Sequence, residues 1–122
     1  MPIPEDYKDI CQMLLEATNA KRVKWAEKGA AITVQFPEFS IEIWSGTDDR
    51  SERSFVGMAL KDPKGQKLVD NWYVEEGDKD YAVLLTLWGS ARRQARGVPE
   101  KLETLRQLLR EGGDIGKDDA QS

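Results

Sequence analysis

Acid–base, nucleophilic and metal chemistry each demand particular side chains at particular spacings. This 122-residue chain is notable first for what it omits: it has no histidine, and one cysteine, Cys11. That excludes a zinc site built on His and Cys, a disulfide framework, a Ser-His-Asp triad and a Cys-His dyad. Any acid–base pair must be assembled from carboxylates, Lys, Tyr or Cys. The carboxylate that stands out is Asp70, the one charged residue on an otherwise apolar strand face. Buried there, it is a candidate general acid or base with a perturbed pKa. The favoured alternative is a bulge or edge position that lets it reach water, because charged residues are seldom fully buried without a partner. Glu42 is the candidate second carboxylate.

The remaining reactive residues have blander readings. Asp48, Asp49 and Glu52 could offer oxygen to a hard cation, but their spacing is not that of an EF-hand and Arg50 and Arg53 interrupt them. A solvated loop without metal is expected. Glu75, Glu76, Asp78 and Asp80 read as negative charge at a helix start. Cys11, between Ile10 and Leu14 with no cationic neighbour, reads as a small buried hydrophobe rather than a nucleophile. Gly112 to Lys117 ends in Gly-Lys, yet lacks the strand before and the helix after that a phosphate loop requires. Arg92, Arg93 and Arg96 crowd one helix end, where they favour the negative pole of the dipole. An anion, an acidic partner or nucleic acid is the sharper alternative for them. Trp25, Trp72 and Trp88 fall on core faces, but Trp44 shares the parity of Ser40 and Glu42 on a polar strand face. Phe55, Val69 and Tyr73 have the minority parity of their own strands. Gathered on a helix-free sheet face, these residues would form an apolar strip rimmed by charge, the signature of an interface or a ligand groove.

The elements that position these residues follow from periodicity. Residues 5–19 place Tyr7, Ile10, Cys11, Leu14, Leu15 and Thr18 on one helical face. Pro4, Glu5 and Asp6 suit the start, and Asn19 a left-handed end. From residue 22 the period changes to two. Val23 and Trp25, then Ile32, Val34 and Phe36, then Phe39, Ile41 and Ile43 describe three strands, with turns at Lys28-Gly29 and Pro37-Glu38. Two-residue loops would set Trp25 opposite Ile32 and Val23 opposite Val34. They would also set Ile32 opposite Ile43 and Val34 opposite Ile41, which keeps one face apolar throughout.

Residues 45–53 hold no apolar side chain and are expected to form a flexible loop. Strands at 54–61 and 66–74 follow, joined through Asp62-Pro63-Lys64-Gly65. A three-residue loop there pairs Leu60 with Leu68, Met58 with Asp70 and Val56 with Trp72. A helix over 79–96, capped by Asp78 or Asp80, buries Tyr81, Leu84, Leu85, Trp88, Ala91 and Ala95. Within it, Gly89 suggests a close backbone contact. Pro99 opens a last helix over 99–111, with Leu102, Leu105, Leu108 and Leu109 on one side. Residues 114–122 read as a polar disordered tail.

The order helix, five-strand antiparallel meander, two helices predicts an α+β two-layer sandwich in a single domain over 1–113, with the helices on one sheet face. The stretch Ala91-Arg92-Arg93-Gln94-Ala95-Arg96-Gly97-Val98, behind a meander and an N-terminal helix, resembles a set of small uncharacterised bacterial proteins of the same layout. The resemblance implies a bacterial or phage origin and the α+β fold, and brings no activity.

With 39% hydrophobic and 33% charged residues and a net charge of −4, folding buries about two thirds of the unfolded surface, enough for one core without staples. The acidic balance disfavours nucleic acid, which needs a basic footprint. No basic-then-apolar leader opens the chain, no apolar run spans a bilayer, and a lone cysteine suits a reducing compartment, so the expectation is cytoplasmic. The expected function is non-enzymatic and cofactor-free: binding a protein partner, or itself as a homodimer, through the open sheet face, with Trp44 and Tyr73 as anchors. The alternative is a small-ligand binder or carboxylate-dependent hydrolase using Asp70, with loop 45–53 as its lid.

Overall fold

The structure is a computed structural model that describes residues 2–112. A single 3-10 turn at Glu5–Tyr7 leads into helix α1, Lys8–Asn19. Five strands follow, β1 Ala26–Lys28, β2 Ala31–Gln35, β3 Ser40–Thr47, β4 Ser54–Lys61 and β5 Leu68–Glu75, then α2 Tyr81–Ala95 and α3 Val98–Glu111. The strands pair antiparallel in chain order, β1-β2-β3-β4-β5. This is the α+β arrangement that the alternation of periods predicts. The polar tail expected at 114–122 lies outside the described residues.

Each strand face is set by parity. Ile32, Ile43, Met58 and Trp72 form one cross-strand row of the inner face, and Val34, Ile41, Leu60 and Asp70 form the next. Helix α2 lies across all five strands, and α1 packs on α2. Ile43, Val56, Met58, Val74, Leu84, Leu87 and Cys11 are fully buried at this contact. Each such side chain contributes roughly 1.5–3 kcal/mol of transfer free energy. Helix α3 joins the rest through α2 and buries none of its residues.

Several local expectations are corrected. The β2–β3 register is as predicted, with Ile32 opposite Ile43 and Val34 opposite Ile41. The first hairpin turns instead at Gly29-Ala30, with Lys28 opposite Ala31 and Glu27 opposite Ile32. Gly29 takes the positive φ that such a turn needs. The β4–β5 pairing is likewise displaced by two residues, placing Leu60 opposite Asp70 and Met58 opposite Trp72, with a bulge between Leu60 and Lys61. A longer turn causes this: the Asp62 N–H donates to the Lys67 carbonyl, and the Asp62 carboxylate accepts from the Gln66 N–H. A shift of two keeps the faces of Asp70, Trp72 and Val74. The bulge exchanges the faces at the start of β5, so that Leu68, expected on the inner face, stands exposed opposite Lys61.

Strand β3 also runs to Thr47, three residues into the stretch read as a loop. Lys21, not Asn19, takes the left-handed conformation behind α1. Asp80 precedes α2 without capping it by its side chain; its carboxylate accepts the Ile3 N–H at 3.0 Å, tying the N-terminal segment to α2.

Gly89 is a further correction. A β-carbon there would meet nothing within 4 Å, so no close backbone approach explains it. Gly89→Ala should therefore raise the unfolding free energy by about 0.5–1 kcal/mol, the helical cost of glycine relative to alanine. A shift of the urea midpoint to higher concentration checks it, and a lowered midpoint contradicts it.

Candidate functional site

Two ends of the sheet must be distinguished. The turns 36–39 and 62–67 lie at one end, and the turn 48–53 at the other. At the first end α1 faces the inner side of the sheet without closing on it. The result is an open cleft of about 930 Å³ between α1 and the sheet. Tyr7, Ile10, Met13, Leu14 and Ala17 form its helical wall. Phe36, Phe39, Ile41, Leu60 and Val69 form the sheet side, with Val23 between. Asp6, Glu16 and Asp70 supply negative charge around it, and Arg22 the one positive group. Among its apolar residues Ile10, Phe39, Met13 (61% exposed) and Val69 (66% exposed) face solvent.

Asp70 stands at the rim, exposed, where the row Val34–Ile41–Leu60 runs out on the edge strand beside the bulge. The buried-carboxylate reading is thus corrected in favour of the edge-and-bulge one. Its Oδ2 accepts a hydrogen bond from the Tyr7 hydroxyl at 2.9 Å, and its Oδ1 accepts the Asn71 N–H. Glu42 cannot serve as its acid–base partner. It lies on the opposite sheet face, in an ion pair with Lys61 at 2.9 Å. Tyr7 is no base at neutral pH either: burial first, then the Asp70 carboxylate, push its hydroxyl up to about 12. The Tyr7–Asp70 bond is a fixed strut joining the start of α1 to β5. Tyr7 also meets the Trp72 ring edge-on at 5.2 Å.

Burial likewise pushes the Cys11 thiol up to about 11, as expected for a core cysteine. Both groups are held neutral by the fold, so their contribution to stability is complete below the unfolded pKa values, near 9.0 for Cys11 and 10.0 for Tyr7. It is lost as pH rises through the folded values. Unfolding free energy should fall between pH 9 and 12, with Tyr7→Phe removing the upper part of that fall. Urea unfolding across this range checks it; an unchanged profile in Tyr7→Phe contradicts the assignment.

The other predicted site residues are dispersed. On the open sheet face, Trp44, Gly57 and Tyr73 do form one cross-strand row, and Phe55 meets Tyr73 edge-on at 5.6 Å. Trp44 is half-buried because its ring covers Gly57; a β-carbon there would come within 2.6 Å of the indole. Val69 departs from this group, since the bulge turns it into the cleft. Arg92 lies over the Trp88 ring at 5.7 Å, and Arg96 pairs with Glu27 at 3.3 Å. Arg93 lines a small hollow of about 140 Å³ beside Thr18 and Pro99. The three arginines do not converge on one point.

The segment 48–53 does not reach the cleft and cannot close over it. Its first acid is engaged in the turn itself, Asp48 accepting the Arg50 N–H, and Ser51 ties the turn to β5 by donating to Glu75 at 2.7 Å. No group of three metal-ligating side chains occurs among the described residues, and no described helix is long and apolar enough to cross a membrane.

Sequence reasoning missed the device that holds the cleft's helical wall. Gln94 of α2 accepts the Trp25 N–H at 2.8 Å and donates to the Val23 carbonyl at 2.6 Å and to the Thr18 carbonyl at 3.4 Å. Thr18 in turn accepts the Trp25 indole N–H at 2.9 Å. One amide thus joins α1, α2 and the segment leading to β1. The available signal was a polar residue in line with Leu84, Leu87 and Ala91 on a buried helix face.

No protein-family model, curated protein or solved structure matches the chain.

Proposed function

We propose that this protein is a cytoplasmic protein-binding module that receives an amphipathic helix in the cleft between α1 and the sheet. The observation that carries the reading is the contiguous apolar exposure of Ile10, Met13, Phe39 and Val69 around that cleft. Side chains of this size exposed together mark an interaction site, and a groove between a helix and a sheet suits the apolar stripe of a helix. The negative rim selects a partner whose stripe is flanked by basic residues. The open sheet face is the weaker docking surface, because Trp44 already spends much of its apolar area on Gly57.

A second reading, a small apolar ligand oriented by Arg22 and the Tyr7–Asp70 pair, draws support from the cleft volume, which lies within the usual range for ligand pockets.

Fluorescence anisotropy of a labelled helical peptide, with leucines on one face flanked by lysines, tests the first reading at dilute protein. Binding is expected, lost in Met13→Arg and retained in Trp44→Ala. Failure of the natural sequence to bind, or loss in Trp44→Ala instead, contradicts it. Uptake of a neutral apolar dye without peptide binding favours the ligand reading.

A further inference from the structure

Helix α3 is a second apolar surface left uncovered among the described residues. It runs for 14 residues and buries none of them. An isolated helix of that length is marginal in water, so its stability has to come from packing. Val98, Leu102, Leu105 and Leu109 recur at alternating four- and three-residue spacing and form one stripe. Leu105 and Leu109 are 47% and 62% exposed. The charges around this stripe are sorted. Helical spacing places Lys101 on one flank and Arg106 and Arg110 on the other, where Glu103 pairs with both arginines at 3.4 and 3.3 Å, with Glu100 and Glu111 on the far side. The stripe is therefore apolar with borders that are basic on balance, three cations against Glu103, while the cleft border is acidic on balance, Asp6, Glu16 and Asp70 against Arg22.

We infer that the occupant of the cleft is α3 of a second copy of this chain. The inference rests on the reading of the cleft as a helix-docking site and names its partner. Within the described part of one chain the contact is not made: α3 reaches only α2 among the described elements, and no residue of α2 or α3 lines the cleft. Two copies exchanging α3 reciprocally form a closed two-fold dimer, with two identical helix-in-cleft contacts and no surface left to propagate. Basic borders against acidic ones fix which face of α3 turns inward and disfavour direct α3–α3 pairing, where like charges would meet along the stripe.

Sedimentation of the full chain tests this. A dimer is expected. Leu105→Glu on α3 and Met13→Arg in the cleft should each weaken it roughly tenfold or more, as loss of a central apolar anchor does. Both side chains are exposed, and a cooperative thermal transition in each variant, at a midpoint lowered by no more than the loss of association requires, shows that they fold. Mixing the two variants should recover dimer, because the helix of Met13→Arg still meets an intact cleft in Leu105→Glu. A dimer that survives Met13→Arg but not Leu105→Glu would mean α3–α3 pairing and overturn the inference. A natural chain that stays monomeric at high concentration also overturns it. In that case peptide binding by the cleft leaves the docking reading standing, and absence of peptide binding removes both.

Discussion

Replacing Gln94 by leucine should lower the unfolding free energy by about 3 kcal/mol, the cost of leaving buried polar groups without partners. Leucine is close in size, so packing is largely kept and the loss isolates the hydrogen bonds. The Trp25 N–H and the Val23 carbonyl each lose their bond to this amide, and Thr18 loses a weaker contact. These groups lie where α1, α2 and the lead-in to β1 meet, with Trp25 buried. A lowered urea midpoint at unchanged slope is the expected signature. A loss below about 1 kcal/mol would show that water satisfies the released groups. Because Gln94 ties Thr18 and Val23 to α2, the same substitution should also loosen the cleft wall and weaken peptide binding.

Leu87→Ala and Leu85→Ala should differ sharply. Leu87 is fully buried beneath α2, while Leu85 is 42% exposed. Truncating a fully buried leucine costs about 3–4 kcal/mol once the cavity term is included, whereas an exposed site costs less than about 1 kcal/mol. Periodicity alone had put Leu85, not Leu87, on the core face. Tyr81, Leu84, Trp88 and Ala91 are compatible with either neighbour as the edge of the stripe, and only the packing of α2 across the sheet decides. Equal effects of the two substitutions would show that α2 is rotated from the position described here.

The same limit explains the strand registers. Alternation fixes which face a side chain takes but is blind to a slip of two residues, so the faces of β1, β4 and β5 were legible and their partners were not, except at Leu68 and Val69, whose faces the bulge exchanges. In the β2–β3 hairpin Pro37 fixes its own place in the turn and so fixes both, whereas the equally short turn of the first hairpin can be read one residue earlier around Gly29. Asp70 was legible as discordant, and the structure supplies its reason: the inner row ends on an edge strand at the cleft. Gln94 carried the same kind of signal, a polar residue in an apolar helical line, without being singled out. The cleft itself has no sequence signature. It exists because α1 packs on α2 and stands off the sheet at the end of the β2–β3 turn, a relation between elements that no local spacing encodes. The leucines of α3 were legible as a stripe, but their exposure became visible only when α2 proved to be the helix's sole neighbour among the described elements.

The most direct measurement is the response of side-chain methyl NMR signals to the leucine–lysine peptide. Docking in the cleft predicts shifts at Ile10, Met13, Leu60 and Val69, with Ala31 and Ala59 on the open sheet face unmoved. Shifts confined to Ala31 and Ala59, or no shifts at saturating peptide, would contradict the cleft as the binding site.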